Sequence, residues 1–303
     1  MITKEVEDVR IKHGDVIDEN VFIGLTLAIL AHKNVVISSE DIHTATYVTG
    51  YILNTVWGLQ ATVLKAHAGI TRDDLLKFFF DGTIGGHMGF VYVIEGIDKL
   101  SNQLQRLILE TMKSRKIVYN NTPLLANELR TIVGITGEPH ALYPLLSQEF
   151  WFQQRCDLKM DINDGRFPTS ATLNRSKVTH FITLRNKYLN VTISPEMKRY
   201  IYDIVIHVRC HRCVKNGFPT RAIKDLELLC QCLCLIFDRN YVIPTIVKLA
   251  CRKLIPFKIQ MVDPSLEPTL QYGSDIDLVA EMMKRMTPKM VVEDVLRKVG
   301  PPL

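Results

Sequence analysis

The stretch FVYVIEGIDKLSNQLQRLILETMKSRKIVYNN, residues 90–121, decides the fold class. Residues 90–94 form an unbroken apolar run rich in β-branched and aromatic side chains, the pattern of a strand buried on both faces. The run ends in a sharp turn at Glu95 and Gly96. Leu104, Leu107, Ile108 and Thr111 then recur at helical spacing, and a second β-branched run, KIVY, follows from residue 116. A buried strand, an acidic turn, an amphipathic helix and another strand predict an α/β domain with a mostly parallel sheet. Functional groups in such sheets gather at the carboxyl ends of the strands.

Working outward, helical spacing runs from about Ile17 to Leu30, and NVVIS (34–38) reads as a buried strand entering a loop. TATYVTGYILNTVWGLQ (44–60) is helical by spacing but poor in propensity because of its Thr and Gly content. ATVLKA (61–66) is strand-like. The stretch from 69 to 89 reads as a loop, marked by Gly82, Gly85, Gly86 and Gly89. ELRTIVGITGE (128–138) is another buried strand, and LYPLLSQEFWFQQRCDLKM (142–160) leads toward one more. Residues 1–165 are therefore expected to form an α/β core. Residues 166–193, rich in turn formers and Ser/Thr, are expected to be a linker or insertion. A smaller all-α bundle is expected over 194–260, where Ser194 can cap a helix entered at Pro195 and Ile201, Ile204, Val205 and Val208 form one stripe. A tail, 261–303, holds two short amphipathic helices split by Pro288.

The totals agree with two soluble globular units: 303 residues, 47% apolar, 23% charged and a net charge of +5. The longest apolar run, Val21 to Ala31, falls short of the roughly 20 residues that span a bilayer. The first residues, MITKEVEDVRIKHGD, lack the apolar segment of a secretory signal. These features predict an intracellular protein, cytoplasmic, nuclear or both, with no membrane partner. The seven cysteines then read as free thiols of a reducing compartment.

The order of elements and their polar positions resemble AAA+ ATPases of the MoxR and magnesium-chelatase small-subunit group. EGIDKLSNQLQRLILETMKSRKI keeps Ile97, Gln105, Leu109, Glu110, Met112 and Arg115 in register with that family's Walker B strand and following helix. The bundle resembles the family's helical lid through Gly217, Arg221, Ala222, Arg239, Tyr241, Val242, Pro244, Val247 and Lys248. By that resemblance Arg221 holds the sensor-2 position, which in working members reaches nucleotide phosphates. The tail, RYIYDIVIHVRCHR and the FWF at 150–152 resemble a fungal, non-enzymatic branch of the group with a genetic link to telomere protection.

The departures from the family pattern fall on its chemistry. Phosphoryl transfer needs a backbone cradle for phosphates, a lysine, a hydroxyl and an acid for magnesium, and a group that positions water. The matching loop, SSEDIHTAT, has no glycine and no lysine. Ala45 stands in the lysine's place and Thr46 alone is kept. Glu40 and Asp41 put negative charge where a triphosphate would sit. Glu95 replaces the metal-binding Asp, Gly96 the water-activating Glu, and Thr136 with Gly137 the sensor-1 Asn, while Glu149 falls where an arginine finger is expected. Thr46, Glu95, Thr136 and Arg221 are thus remnants of a nucleotide site with no catalytic residue among them. The expected function is a catalytically inactive, non-enzymatic interaction or scaffold protein with protein partners and no cofactor, weak ATP and magnesium binding remaining open. One alternative is a divergent ATPase or chelatase-like subunit working in a complex. Another is a nucleic-acid-binding adaptor using a basic lid surface of Lys198, Arg199, Arg209 and Arg212.

Three sharper motifs have plainer readings. Cys210, Cys213, Cys230, Cys232 and Cys234 have spacings that invite zinc, but thiols alternating with Leu in an apolar helix read as core, and no metal site is expected. His43 could serve as a phosphate ligand or be merely exposed. Met282, Met283, Met286 and Met290 could form an adaptable binding face or pack the tail.

Overall fold

A computed structural model describes residues 2–13, 16–81, 89–114, 116–119, 122–125, 130–137, 142–158, 175–188 and 190–302. The chain forms two compact units, Met1–Asn186 and Lys187–Leu303.

The first unit opens with α1 (Ile2–His13), α2 (Glu19–Ala31), β1 (Val35–Ser38) and α3 (Ile42–Gly50), the last running on as a π-helical turn over Tyr51–Val56. It continues with β2 (Ala61–Lys65), α4 (Arg72–Asp81), β3 (Val91–Glu95), α5 (Asn102–Ser114), β4 (Lys116–Tyr119), β5 (Thr122–Leu125), β6 (Thr131–Thr136), α6 (Pro144–Glu149), β7 (Gln153–Arg155) and α7 (Arg175–Tyr188). Five strands form one sheet in the order β2-β3-β6-β1-β7, and every neighbouring pair is parallel. The expected mostly parallel sheet flanked by helices is what forms.

Strands β1, β3 and β6 are buried at every position, as their β-branched runs require. One row of valines, Val63, Val93, Val133 and Val35, crosses four strands in register. The same register sets Ser38 beside Thr136 and Glu95 beside Ile135, so the strand ends share one edge. Helix α2 is apolar on all sides and buried accordingly. It is capped by the Asp18 carboxylate, which accepts from the Asn20 and Val21 N–H groups.

Two segments differ from the sequence expectation. The stretch from 72 to 81, read as loop, is helix α4. The Thr71 hydroxyl oxygen accepts from the Asp74 N–H (3.2 Å) while the Asp74 carboxylate accepts from the Thr71 N–H (3.0 Å), a reciprocal cap, and Leu75, Leu76 and Phe79 turn inward. Gly82, Gly85 and Gly86 lie outside the described residues. Strand β4, the second run of the opening stretch, stays out of the main sheet and pairs with β5 as an antiparallel hairpin, where Pro123 suits an edge better than a sheet interior.

The 166–193 stretch holds α7; residues 166–174 lie outside the described residues. Phe181 of α7 is fully buried and meets the Trp57 ring edge-on at 4.7 Å, while Trp57 stacks on Phe22 at 5.3 Å.

The second unit comprises α8 (Pro195–Arg209), β8 (Val214–Lys215), α9 (Arg221–Ile236), α10 (Pro244–Lys258), β9 (Gln260–Met261), α11 (Ile276–Arg285) and α12 (Pro288–Lys298), with short 3-10 turns over Pro264–Leu266 and Pro268–Tyr272. Ser194 caps α8 by accepting from the Met197 N–H at 3.2 Å, and the Ile201, Ile204, Val205 and Val208 stripe is buried. Helix α12 packs on α10 and α8, burying Val291, Val292, Val295 and Leu296, so the tail helix completes the bundle. Cys230, Cys232, Cys234 and Cys251 are core residues. Burial pushes the Cys234 thiol up to about 11 and that of Cys251 up to about 12. Among the described residues no helix is long and apolar enough to cross a membrane, and no group of three or more His, Cys, Asp and Glu could hold a metal ion.

Candidate functional site: the carboxyl edge of the sheet

The edge is built where β1 delivers the chain through Ser39, Glu40 and Asp41 into α3. A helix start leaves N–H groups without partners inside the helix, which is what makes it an anion site. Here the chain supplies its own anion. The Asp41 carboxylate accepts from the N–H groups of His43 (3.0 Å) and Thr44 (3.3 Å) and from the Thr44 hydroxyl. The Thr44 hydroxyl, helped by those N–H groups, holds the Asp41 carboxyl below the usual carboxylate range.

The remnants are occupied locally as well. Ala45 is fully buried. The Thr46 hydroxyl donates to the Ile42 carbonyl at 2.8 Å, inside its own helix. Glu95, at the end of β3, has a side chain only 8% exposed, and its Oε1 lies 2.8 Å from Nδ1 of His43, which is 78% exposed. A proton on Nδ1 makes the imidazole the donor in this contact. The Thr136 carbonyl accepts from the Ser39 N–H at 3.1 Å, tying the loop to β6. Glu40 lies 3.4 Å from the Arg155 guanidinium at the end of β7, and Arg155 also meets Asp157 at 2.5 Å. The edge thus assembles Thr46, Glu95 and Thr136. It adds His43 as a direct partner and Arg155, which sequence reasoning missed.

Gly96, read as the loss of a water-positioning acid, also has a backbone role. Its φ of 70° favours glycine, and its N–H donates to the Ile135 carbonyl at 2.9 Å. Gln105 is likewise structural. It is buried, donates to the Leu100 carbonyl at 3.0 Å and accepts from the Tyr143 N–H at 2.7 Å. Arg115 lies outside the described residues.

In the second unit Arg221 takes the first position of α9 and is exposed. Of the basic set, Lys198 and Arg199 are exposed on α8. Arg209 and Arg212 are exposed too, and they also brace the bundle. Arg209 donates from Nε to the Phe218 carbonyl (3.0 Å) and from its terminal nitrogen to the Thr220 hydroxyl oxygen (3.4 Å). Its stem closes over Gly217, where a Cβ would come within 3.1 Å of it and φ is 68°. Arg212 reaches the Met282 sulfur and lies 3.9 Å from Glu267, whose side chain is fully buried.

A five-stranded parallel sheet with its polar loops along one edge, followed by a helical bundle, defines an AAA+-like ATPase fold. A crystal structure of a candidate ATPase from Cytophaga hutchinsonii has this fold with a TM-score of 0.74, covering 100% of this chain and 96% of that one at 14% identity. No protein-family model matches the chain. It is 32% identical over 209 residues to maintenance of telomere capping protein 2 of Lachancea thermotolerans, covering 65% of this chain and 66% of that relative. The Kluyveromyces lactis protein of the same name is 33% identical over 159 residues, 51% of this chain and 52% of the relative. For Saccharomyces cerevisiae strain YJM789 the figures are 32% over 135 residues and 38% of each chain. The chain is thus similar to proteins named maintenance of telomere capping protein 2 in several yeasts, and the matched segments span at most 66% of these relatives.

Proposed function

We propose that the chain is a non-hydrolysing AAA+-like protein that acts by binding other proteins, in a nuclear role connected with the telomere capping for which its relatives are named. The observation that carries this reading is Asp41. Its carboxylate bonds the N–H groups at the start of α3, the groups a phosphate would need, and an arriving triphosphate would have to displace it against like charge. The pairing of Glu95 with His43 supports the same reading, because a magnesium ion would have to compete for that carboxylate.

The test is calorimetric titration of the full chain with ATP and magnesium, together with a phosphate-release assay. The expected result is no saturable heat in the micromolar range and no release above background. Saturable magnesium-dependent binding with turnover would overturn the proposal in favour of a divergent ATPase.

A further inference from the structure

The first unit carries a concave feature whose lining shares no residue with the strand-end groups. An open groove of about 580 Å³ is lined by α4 (Arg72, Leu76), α5 (Leu107, Glu110, Thr111, Lys113, Ser114) and β4 (Lys116, Ile117, Val118). That volume lies in the range of sites that hold several side chains or a small ligand. Its floor is apolar: Leu76 and Ile117 are buried, whereas Val118 is 55% exposed and available for cover. Its rim is basic. Arg72, Lys113 and Lys116 are all exposed, against one exposed lining carboxylate, Glu110. Among the described residues none of the three cations forms an ion pair with a carboxylate.

The cations sit differently on their elements. Lys113 sits in the last turn of α5, where the helix dipole favours a cation. Arg72 is the first residue of α4, where the dipole disfavours one. Asp74, the carboxylate two residues on, is committed to Thr71. Asp73, beside Arg72 in the same turn, is exposed as well.

We infer that this groove docks a short acidic, amphipathic segment of a partner protein, with carboxylates on Arg72, Lys113 and Lys116 and an apolar side chain against the exposed Val118. Charge complementarity selects the sign of the occupant. The apolar floor selects peptide over nucleic acid, because a phosphodiester backbone would leave Val118 uncovered and, among the described residues, no aromatic side chain lines the groove to stack a base. The inference does not depend on the state of the strand-end site, and its test involves no nucleotide.

The probes are two fluorescein-labelled peptides, one alternating Leu with Glu and the other alternating Leu with Lys, and a labelled DNA duplex, each titrated against the full chain by fluorescence anisotropy. The acidic peptide is expected to bind saturably and to weaken as salt rises. Its affinity should fall about ten-fold or more in the Arg72→Glu/Lys113→Glu/Lys116→Glu variant. Val118→Asp, which leaves the cations in place, should weaken the same peptide. If the triple variant fails to fold, Lys113→Gln alone carries the charge test with a smaller loss. Equal binding of both peptides overturns the inference, as does unchanged affinity in the charge variants. Preferential binding of the duplex, lost on the same substitutions, would reassign the groove to nucleic acid and also overturn it.

Discussion

Substituting Arg212 separates two roles for the basic side chains of the bundle. As part of a nucleic-acid surface, Arg212 could be removed with little effect on folding. The structure instead sets its Nε 3.9 Å from the Glu267 carboxylate, whose side chain is fully buried. Glu267 keeps a hydrogen bond from the Thr269 N–H at 2.9 Å through its other oxygen, while the oxygen facing Arg212 has no hydrogen-bond partner. At this separation the attraction is about 4 kcal/mol at an effective dielectric of about 20. Arg212 is 51% exposed, so solvent reduces that figure, and Arg212→Ala should destabilise the bundle by about 1–3 kcal/mol, mostly the cost of leaving a buried carboxylate uncompensated. Glu267→Gln in the same background should recover part of the loss, because the amide oxygen can keep the Thr269 bond without the charge. The assay is urea unfolding followed by far-ultraviolet circular dichroism. The two tryptophans, Trp57 and Trp151, lie in the first unit, so tryptophan emission serves as an internal reference that should not shift. A loss under about 0.5 kcal/mol, the range of an ordinary surface substitution, or a double variant no better than Arg212→Ala, would refute the reasoning.

Phe181→Ala removes a fully buried ring from the Trp57 contact and should cost the first unit about 3–5 kcal/mol, read as a lower urea midpoint of tryptophan emission. Acidification should weaken the second unit through His211. Burial holds that imidazole's pKa below its ordinary value despite nearby Asp294, so the unfolded chain takes up the proton first. Stability is then full above about pH 6.5 and falls as pH drops toward the lowered folded value. His211→Gln should flatten the slope of the circular-dichroism melting temperature between neutral pH and the onset of carboxylate titration, and an unchanged slope would exclude His211 as its source. Native thiol titration with a disulfide reagent should label Cys210 rapidly and the other six cysteines slowly, since Cys210 is exposed and the rest are buried. Fast loss of more than one thiol would contradict the packing.

The sheet was legible because strands buried on both faces leave unbroken β-branched runs, as in residues 91–94 and 131–133, whose burial is complete. The helical stripe of α8 and its Ser194 cap were legible for the same local reason. Helix α4 was hidden by the glycines that follow it, although its Thr71 and Asp74 cap was written in the sequence. The pairing of β4 could not be read, because an apolar run of four residues does not say which strand it will meet. The site divides in the same way. The missing glycines and lysine of the phosphate loop are local facts, whereas His43 with Glu95 and Arg212 with Glu267 are contacts between distant segments that no spacing announces. Arg209 and Arg212 are exposed as a basic surface requires, but their contacts with Phe218, Thr220 and Glu267 could not be read, because nearness in sequence at a helix end does not settle which partner a long side chain reaches.

The acidic loop between β1 and α3 has a structural logic of its own. A helix that opens at a strand end must satisfy its first N–H groups, and a bound phosphate does so only while ligand is present, adding stability that depends on its concentration. A carboxylate held in the chain at Asp41 satisfies the same groups permanently, at the strength of an ordinary cap, about 0.5–2 kcal/mol. With that cap in place the first N–H groups of α3 have a partner without any bound anion. It also explains why Glu40 and Asp41 do not undo the fold by adjacent negative charge: Asp41 is spent on the helix, and Glu40 is turned toward Arg155 at 3.4 Å. Ala45 fits the same logic, because a lysine there would have to extend from a fully buried position and would need an anion to receive its charge.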